Sequence, residues 1–459
     1  MNSGRVLTCF KSYDVRGKLG DEFNSEIAYR IGRATAETLK AKTLVLGFDA
    51  RKTSADLAQS ITLGICDAGA DVIELGLAGT EEMYAAVSEF NASGGIEVTA
   101  SHNPIDYNGM KIVKHGSQPL STNEFASIQH IAEANKFNFP RRTGLVINKK
   151  SEARESYIEK IMAFINIKNL KPLKIVINSG NGTAGPTVDA LNNKFEKKGL
   201  KTNFIYVHHE PNPLFPNGIP NPLLEENRFS TTEAIIKEKA DFGVAFDGDF
   251  DRCFLFDHLG NFIPGEYLVG LLAEVFLKKE KGATIVHDPR IIWNTTDIIN
   301  NCEGHAFESK TGHAYVKAAM RLSGAIYGGE MSAHHYFRDF AYCDSGMIPW
   351  LLIWELLSSK NQKLKNLIVD RKCSFPSSGE INFTVHEASK CLQRVKKFYL
   401  ANAHSINELD GLSMSFGTWR FNLRQSNTEP LVRLNVETKG NRTLLEEKTE
   451  ELRKFILNF

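Results

Sequence analysis

Three times along this chain the same order of segments returns: apolar run, helical stretch, apolar run, helical stretch, apolar run, then a polar loop. In the first round residues 43–46 lead into Gly47-Phe48-Asp49-Ala50-Arg51, residues 71–75 into Gly76, and residues 96–99 into a loop carrying Ser101. In the second, residues 174–177 open onto Asn178 and a glycine-rich turn, residues 203–207 onto His208-His209, and residues 243–246 onto Asp247-Gly248-Asp249-Phe250-Asp251-Arg252. The third runs from residues 284–286 into His287-Asp288-Pro289-Arg290, from Ala306-Phe307 into Lys310-Thr311-Gly312-His313, and from residues 325–327 into Gly328-Gly329-Glu330-Met331-Ser332. Between the first strands, residues 54–68 and 80–90 have helical spacing, and Ser54 and Thr80 read as their caps. A β-α-β-α-β round calls for a mostly parallel sheet with right-handed crossovers. Ligands of such sheets sit outside the carboxyl ends of the strands. The three polar loops therefore either face one cleft or serve three independent α/β domains.

Past about residue 370 the texture changes. Residues 381–385, 418–423 and 431–437 alternate apolar and polar, and residues 390–400 and 444–457 read as helices. That pattern predicts a small α+β domain with antiparallel strands. A chain of 459 residues is too long for one core, and about three or four domains is the expectation for that length. A net charge of +1 gives no footing for nucleic acid or an anionic membrane, so phosphate recognition would rest on locally placed Arg, Lys and His. The seven scattered cysteines contain no Cys-x-x-Cys, which fits reduced thiols better than disulfides or zinc. The N-terminal apolar stretch is too short for a signal peptide. Residues 347–357 form the nearest approach to a membrane span and are far too short. A soluble, cytoplasmic protein is expected.

The chemistry gathers in the loops. Thr99-Ala100-Ser101-His102-Asn103-Pro104 carries a hydroxyl out of a buried strand on a tight turn with an imidazole beside it; an ordinary Asn-Pro turn reads the same way. Asp247, Asp249 and Asp251 alternate on a glycine-relieved loop. Three oxygen donors without Cys or His favour a hard cation, Mg²⁺ before Ca²⁺; the bland alternative is a solvated acidic turn. Arg424-Gln425-Ser426-Asn427-Thr428-Glu429-Pro430 offers a guanidinium, hydroxyls and an amide suited to a phosphate dianion, or is a polar turn. Glu330 and Ser332 could grip adjacent sugar hydroxyls. His313 and the Lys11-Ser12-Tyr13-Asp14-Val15-Arg16-Gly17 turn are ambiguous alone, and Arg16 suits a phosphate, an acid/base relay or a surface salt-bridged turn.

Taken in order, Tyr13 to Gly17, Thr99 to Pro104, Asp247 to Arg252, Gly329 to Ser332 and Arg424 to Pro430 resemble the α-D-phosphohexomutases, most closely the bacterial phosphomannomutases of the phosphomannomutase/phosphoglucomutase group. The resemblance covers essentially the whole chain. It implies a heart-shaped, four-domain α/β architecture: three related βαβαβ mixed-sheet domains at 1–145, 146–252 and 253–369, carrying the phosphoserine, metal and sugar loops, and a smaller α+β domain at 370–459 carrying the phosphate loop. By the same likeness Ser101 is a phosphoserine, attended by His102, Arg16 and Lys111, with His313 near the substrate. Asp247, Asp249 and Asp251 would hold one Mg²⁺ per subunit. Tyr13, Arg252, Arg290, Glu330, Ser332, Arg424, Ser426, Asn427, Thr428 and Arg433 would bind the substrate.

The activity implied is an intramolecular phosphotransferase that interconverts mannose 6-phosphate and mannose 1-phosphate through a hexose 1,6-bisphosphate. The bisphosphate would also serve as activator, and the product would feed GDP-mannose and surface polysaccharide (O-antigen or capsule) synthesis. The expected partner is a hexose phosphate, with no nucleic acid, membrane or obligate protein partner. Two departures from the family pattern stand out: Ala333 where many relatives carry Gly, and Arg290 where some carry Lys. The competing readings are a phosphoglucomutase or dual-specificity mutase, an aspartyl phosphatase using Asp247-Gly248-Asp249, and a silent sugar phosphate binder.

Overall fold

The computed structural model describes residues 6–385, 387–425 and 431–458. The chain forms two compact units: one holds the residues up to Phe262 together with Asp339–Asn361, the other Ile263–Arg338 and Gln362–Phe459.

The first unit contains two sheets. In the first, the strands run in the order Val15–Lys18, Tyr107–Lys114, Gly94–Val98, Thr43–Phe48, Asp71–Leu77, Val146–Asn148. The last four are mutually parallel and the first two are antiparallel to their neighbours. The second sheet runs Cys253–Asp257, Phe242–Phe246, Lys174–Asn178, Asn203–Val207, with only the first pairing antiparallel. In the second unit, His305–Glu308, Thr284–His287, Tyr327–Gly329 and His335–Phe337 follow the same plan. The path is identical in all three. The round's first strand lies central, its second on one side and its third on the other, and an antiparallel return strand pairs with the third. Central strands such as Phe242–Phe246 are buried along their whole length, as sheets covered on both faces require.

The polar loop that closes each round is thus the same turn: the hairpin between third strand and return strand. Residues 99–106, 247–252 and 330–334 hold equivalent positions. The fourth sheet is antiparallel, in the order Ser377–Thr384, Leu431–Thr438, Trp419–Gln425, Leu412–Ser415, Ser405–Asn407. Its core of Phe421, Leu423, Leu434 and Val436 packs under the helices Ala388–Tyr399 and Arg442–Leu457.

The pairings move the expected domain limits. Val146–Asn148 closes the first sheet beyond residue 145, and Cys253–Asp257 belongs to the second beyond residue 252. The helix Met347–Lys360, expected in the third domain, belongs to the first unit. Its first eight residues, Met347–Trp354, are apolar on every side because they are buried on every side: Trp350 and Trp354 are fully covered, and Phe204 meets both rings edge-on. Oε1 of Glu81 accepts from the backbone N–H groups of Gly346 and Met347 at the helix start, donors that have no partner within the helix. Among the described residues no helix is long and apolar enough to cross a membrane, and all seven cysteines are free.

Ser54 and Thr80 do not cap their helices. Thr53 and Gly79 hold the cap positions. The two hydroxyls are turned to the carboxylates of Asp49 and Asp249 instead.

Candidate active site

Within the first unit the serine loop and the acidic loop meet. Ser101 lies in the turn after the strand Gly94–Val98, in a left-handed backbone conformation, φ 48°, which costs a non-glycine residue about 1–3 kcal/mol and holds only where the surroundings over-determine it. The surroundings here are dense. Ser101 N–H donates to Thr99 Oγ1 (2.8 Å), and Arg51 donates to four loop carbonyls: Ser101 (3.0 Å), Asn103, Pro104 (2.8 Å) and Tyr107 (3.1 Å). A Cβ on Gly248 would lie 2.6 Å from the Ser101 carbonyl oxygen, so glycine lets the acidic loop approach the serine loop.

The Ser101 hydroxyl donates to Asp247 Oδ2 at 2.8 Å and lies 3.0 Å from His102 Nδ1. Arg252 donates to that same ring nitrogen and to Asp247 Oδ2, through Nε at 2.9 Å and Nη2 at 2.6 Å. A nitrogen that accepts from a guanidinium carries no proton, so the His102 ring is neutral with its hydrogen on Nε2. Protein crowding around the ring and the charge of Arg252 hold its pKa well below the ordinary histidine value, although the residue as a whole is exposed. Asp247, the nucleophile of the phosphatase reading, is committed to Arg252 and Ser101.

Asp247, Asp249 and Asp251 are all buried, and one carboxylate oxygen of each lies within 4.8 Å of the others. Lys111, on the return strand, donates to Asp249 Oδ2 at 2.7 Å and to Asp251. Burial opposes the charge on Lys111, but the two carboxylates outweigh it and hold the ammonium above its usual range. Asp249 is the mirror case: burial opposes its charge, yet Lys111 keeps it below the usual carboxylate range. Asp249 Oδ1 is buried without a hydrogen-bond partner, which leaves a lone pair for a ligand. This all-oxygen donor set fits a hard divalent cation. Arg16 reaches the Thr99 carbonyl at 2.9 Å and pairs with Asp14 at 3.5 Å, which places it beside the serine loop in an ion pair. Tyr13 lies half-buried in the turn before Val15–Lys18.

A second cluster forms in the other unit. Glu330 is buried and accepts from Gly312 N–H (2.8 Å) and Tyr336 O–H (2.6 Å). Ser332 Oγ accepts from Arg290 Nη2 at 3.2 Å, and Arg290 is bound to Asp288 at 2.7 Å. His313 opens the helix His313–Ser323 directly after Gly312, so the Glu330 carboxylate ties the loop at residues 330–334 to the His313 loop. Ala333 has φ 70°, the conformation for which glycine is favoured, and its N–H donates to the Glu330 carbonyl at 3.0 Å. The loop therefore keeps a glycine-type turn with alanine in it. Arg424 and Arg433 sit opposite one another on paired strands and share Glu380 with Arg290. Ser426, Asn427 and Thr428 lie outside the described residues.

Sequence reasoning missed Arg51, Thr80, Asp288 and Glu380. One signal was available. Asp49-Ala50-Arg51 and Asp288-Pro289-Arg290 are the same turn after the same strand, with the residue 51 and 290 N–H groups donating to Asp49 and Asp288 Oδ1 at 2.9 Å in both.

Models of the phosphoglucomutase/phosphomannomutase family match in chain order: alpha/beta/alpha domain I over residues 8–139, domain II over 155–260, domain III over 264–372, and the C-terminal domain over 380–454. A phosphomannomutase of Escherichia coli (strain K12) is 54% identical over 449 residues, 98% of each chain. A protein of Xanthomonas campestris named phosphohexose mutases is 48% identical over 97% of this chain and 98% of its own. Among solved structures, a phosphoglucomutase/phosphomannomutase family protein from Burkholderia thailandensis superimposes with a TM-score of 0.86 at 27% identity, covering 98% of this chain and 96% of that one. The chain belongs to the phosphoglucomutase/phosphomannomutase family.

Proposed function

We propose that this chain is a phosphomannomutase that interconverts mannose 6-phosphate and mannose 1-phosphate, with Ser101 as the phosphoryl carrier. The observation that carries the reading is the Ser101 hydroxyl held 2.8 Å from Asp247, beside two more buried carboxylates and the guanidinium of Arg252. That arrangement suits a phosphoryl group and a cation, and it lacks the Ser-His-Asp relay of an acyl-transfer serine.

In this reading Asp247, Asp249 and Asp251 hold one Mg²⁺, which when bound withdraws charge from the phosphoryl oxygens. Arg252, Arg16 and Lys111 neutralise the same group as it moves. The bond from phosphorus to Ser101 Oγ breaks, a bond to the sugar hydroxyl oxygen forms, and the hydroxyl proton ends on Ser101. A hexose 1,6-bisphosphate results. The reverse transfer uses its other phosphate, so one ester and one hydroxyl enter and leave with no net proton change. Glu330 and Ser332 would read the sugar hydroxyls, while Arg424, Arg433 and the loop carrying Ser426, Asn427 and Thr428 would hold the phosphate that is not reacting. Arg290 acts through Ser332 and Asp288, and His313 and Tyr13 complete the expected substrate contacts. A hexose 1,6-bisphosphate would serve as activator by loading Ser101. A cytoplasmic supply of mannose 1-phosphate for GDP-mannose and surface polysaccharide is the corresponding role.

The test is a ³¹P NMR assay of purified protein with Mg²⁺, glucose 1,6-bisphosphate and mannose 1-phosphate. Mannose 6-phosphate should accumulate, and a Ser101→Ala variant should form none. Absence of isomerisation by the unmodified protein refutes the proposal. The family description, which pairs phosphoglucomutase with phosphomannomutase, keeps glucose phosphates as a second substrate class. The ratio of kcat/KM for mannose and glucose 1-phosphates distinguishes the two, with mannose favoured here.

A further inference from the structure

Arg424 and Arg433 face each other across the hairpin of Trp419–Gln425 and Leu431–Thr438, as directly paired residues. Like charges so placed repel and need an anion between them. The structure supplies one from its own chain. Glu380 Oε2 accepts from Arg424 Nη2 at 2.9 Å, Oε1 lies 3.5 Å from Arg433 Nη1, and Arg290 Nη1 reaches Oε2 at 3.4 Å. The strand irregularity between Ser377 and Glu380, with Gly379 at φ 66°, shifts the register that carries Glu380. Burial opposes its charge, but the three guanidiniums hold the carboxyl below its usual range.

The site is nevertheless short of acceptors. Arg424 Nε and Arg290 Nε are buried and have no hydrogen-bond partner among the described residues. Charged donors left unsatisfied in this way mark a place for a further anion.

We propose that Glu380 is a built-in counter-ion that a substrate phosphate must displace from Arg424 and Arg433, so that Glu380 sets how tightly this unit holds phosphate. The proposal rests on the reading of Arg424 and Arg433 as phosphate ligands. Its use would be kinetic. The bisphosphate must let go of this site with one phosphate and return with the other, and a carboxylate that competes for the same donors keeps either phosphate from being trapped. It would also weaken capture of free inorganic phosphate.

The experiment titrates inorganic phosphate into the full chain by calorimetry and measures phosphate as an inhibitor of mannose 1-phosphate turnover. Glu380→Gln keeps the shape and removes the charge. It should tighten phosphate binding about tenfold, equal to about 1.4 kcal/mol, lower KM in the same direction and lower kcat. Glu380→Asp, which keeps the charge, should stay within about threefold of the parent; this separates loss of charge from loss of fit. Phosphate binding by Glu380→Gln that is unchanged or weaker overturns the proposal. Arg424→Ala should lose the phosphate heat of this site. If Arg424→Ala retains it, the phosphate-site reading itself fails, an outcome distinct from failure at Glu380 alone.

Discussion

Arg51→Met tests whether the serine loop is held in shape from beneath. Methionine keeps the length and apolar body of the side chain and removes the guanidinium. Four carbonyls, those of Ser101, Asn103, Pro104 and Tyr107, lose the Arg51 donor; Pro104 keeps the Tyr107 N–H at 3.0 Å, while a buried carbonyl left unpaired, such as that of Ser101, costs about 1–3 kcal/mol. Asp49, 3.5 Å from Arg51 Nε, loses its charged partner. These terms overlap, because the loop can relax toward solvent and Asp49 can take up a proton. A net destabilisation of about 3–5 kcal/mol, the range for breaking a buried ion pair, is expected. Relaxation also frees Ser101 from its left-handed backbone and moves the hydroxyl. A displacement of about 1 Å costs on the order of 10²-fold in rate, so kcat should fall about a hundredfold while KM stays within about threefold. Arg51→Lys, which can reach fewer carbonyls at once, should fall between. Thermal denaturation and steady-state assays on the three proteins suffice. A methionine variant with parental Tm and kcat refutes the reasoning.

Gly248→Ala should lower kcat at least about a hundredfold, because its Cβ would meet a backbone oxygen of Ser101 at 2.6 Å; parental kcat would show that the two loops are free to separate. Glu97 is fully buried without a hydrogen-bond partner, and burial, with Asp49 and Asp249 nearby, raises its pKa well above the usual value. Its contribution to stability is therefore complete below the unfolded pKa near 4.3 and is lost as pH rises toward the folded value, at about 1.4 kcal/mol per pH unit. Glu97→Gln should accordingly stabilise the protein more at pH 7.5 than at pH 4.5 in urea unfolding, and an equal effect at both pH values refutes the assignment. EDTA should abolish turnover, with Mg²⁺ restoring it, yet lower Tm by no more than about 3 °C, since Lys111 still bridges Asp249 and Asp251. Collapse of the fold on chelation would contradict that role for Lys111.

Much of this was legible because buried parallel strands write themselves as continuous apolar runs. Residues 174–177 and 243–246 matched strands to within a residue or so. The three return strands were not legible. Tyr107–Lys114 carries Asn108, Gly109 and Lys111, residues that serve the loop beside them and break the apolar pattern. Ser54 and Thr80 misled for a related reason: a hydroxyl at a helix start reads as a cap, but here the nearby carboxylates take it. In the acidic loop, alternation of Asp247, Asp249 and Asp251 was enough to foresee a cluster. Their partners Lys111 and Thr80 come from other strands and helices, which no local spacing encodes. Glu380 was invisible in the same way, because its three arginines, two from neighbouring strands and one from the loop after Thr284–His287, converge only in the folded chain.

The carrier role of Ser101 is tested most directly by phosphoryl labelling. Incubation with glucose 1,6-bisphosphate labelled with ³²P, followed by peptide mapping, should place the label on Ser101, and a chase with unlabelled mannose 1-phosphate should move it into sugar bisphosphate and mannose 6-phosphate. Label on Asp247, or label on Ser101 that sugar phosphate cannot remove, would contradict it.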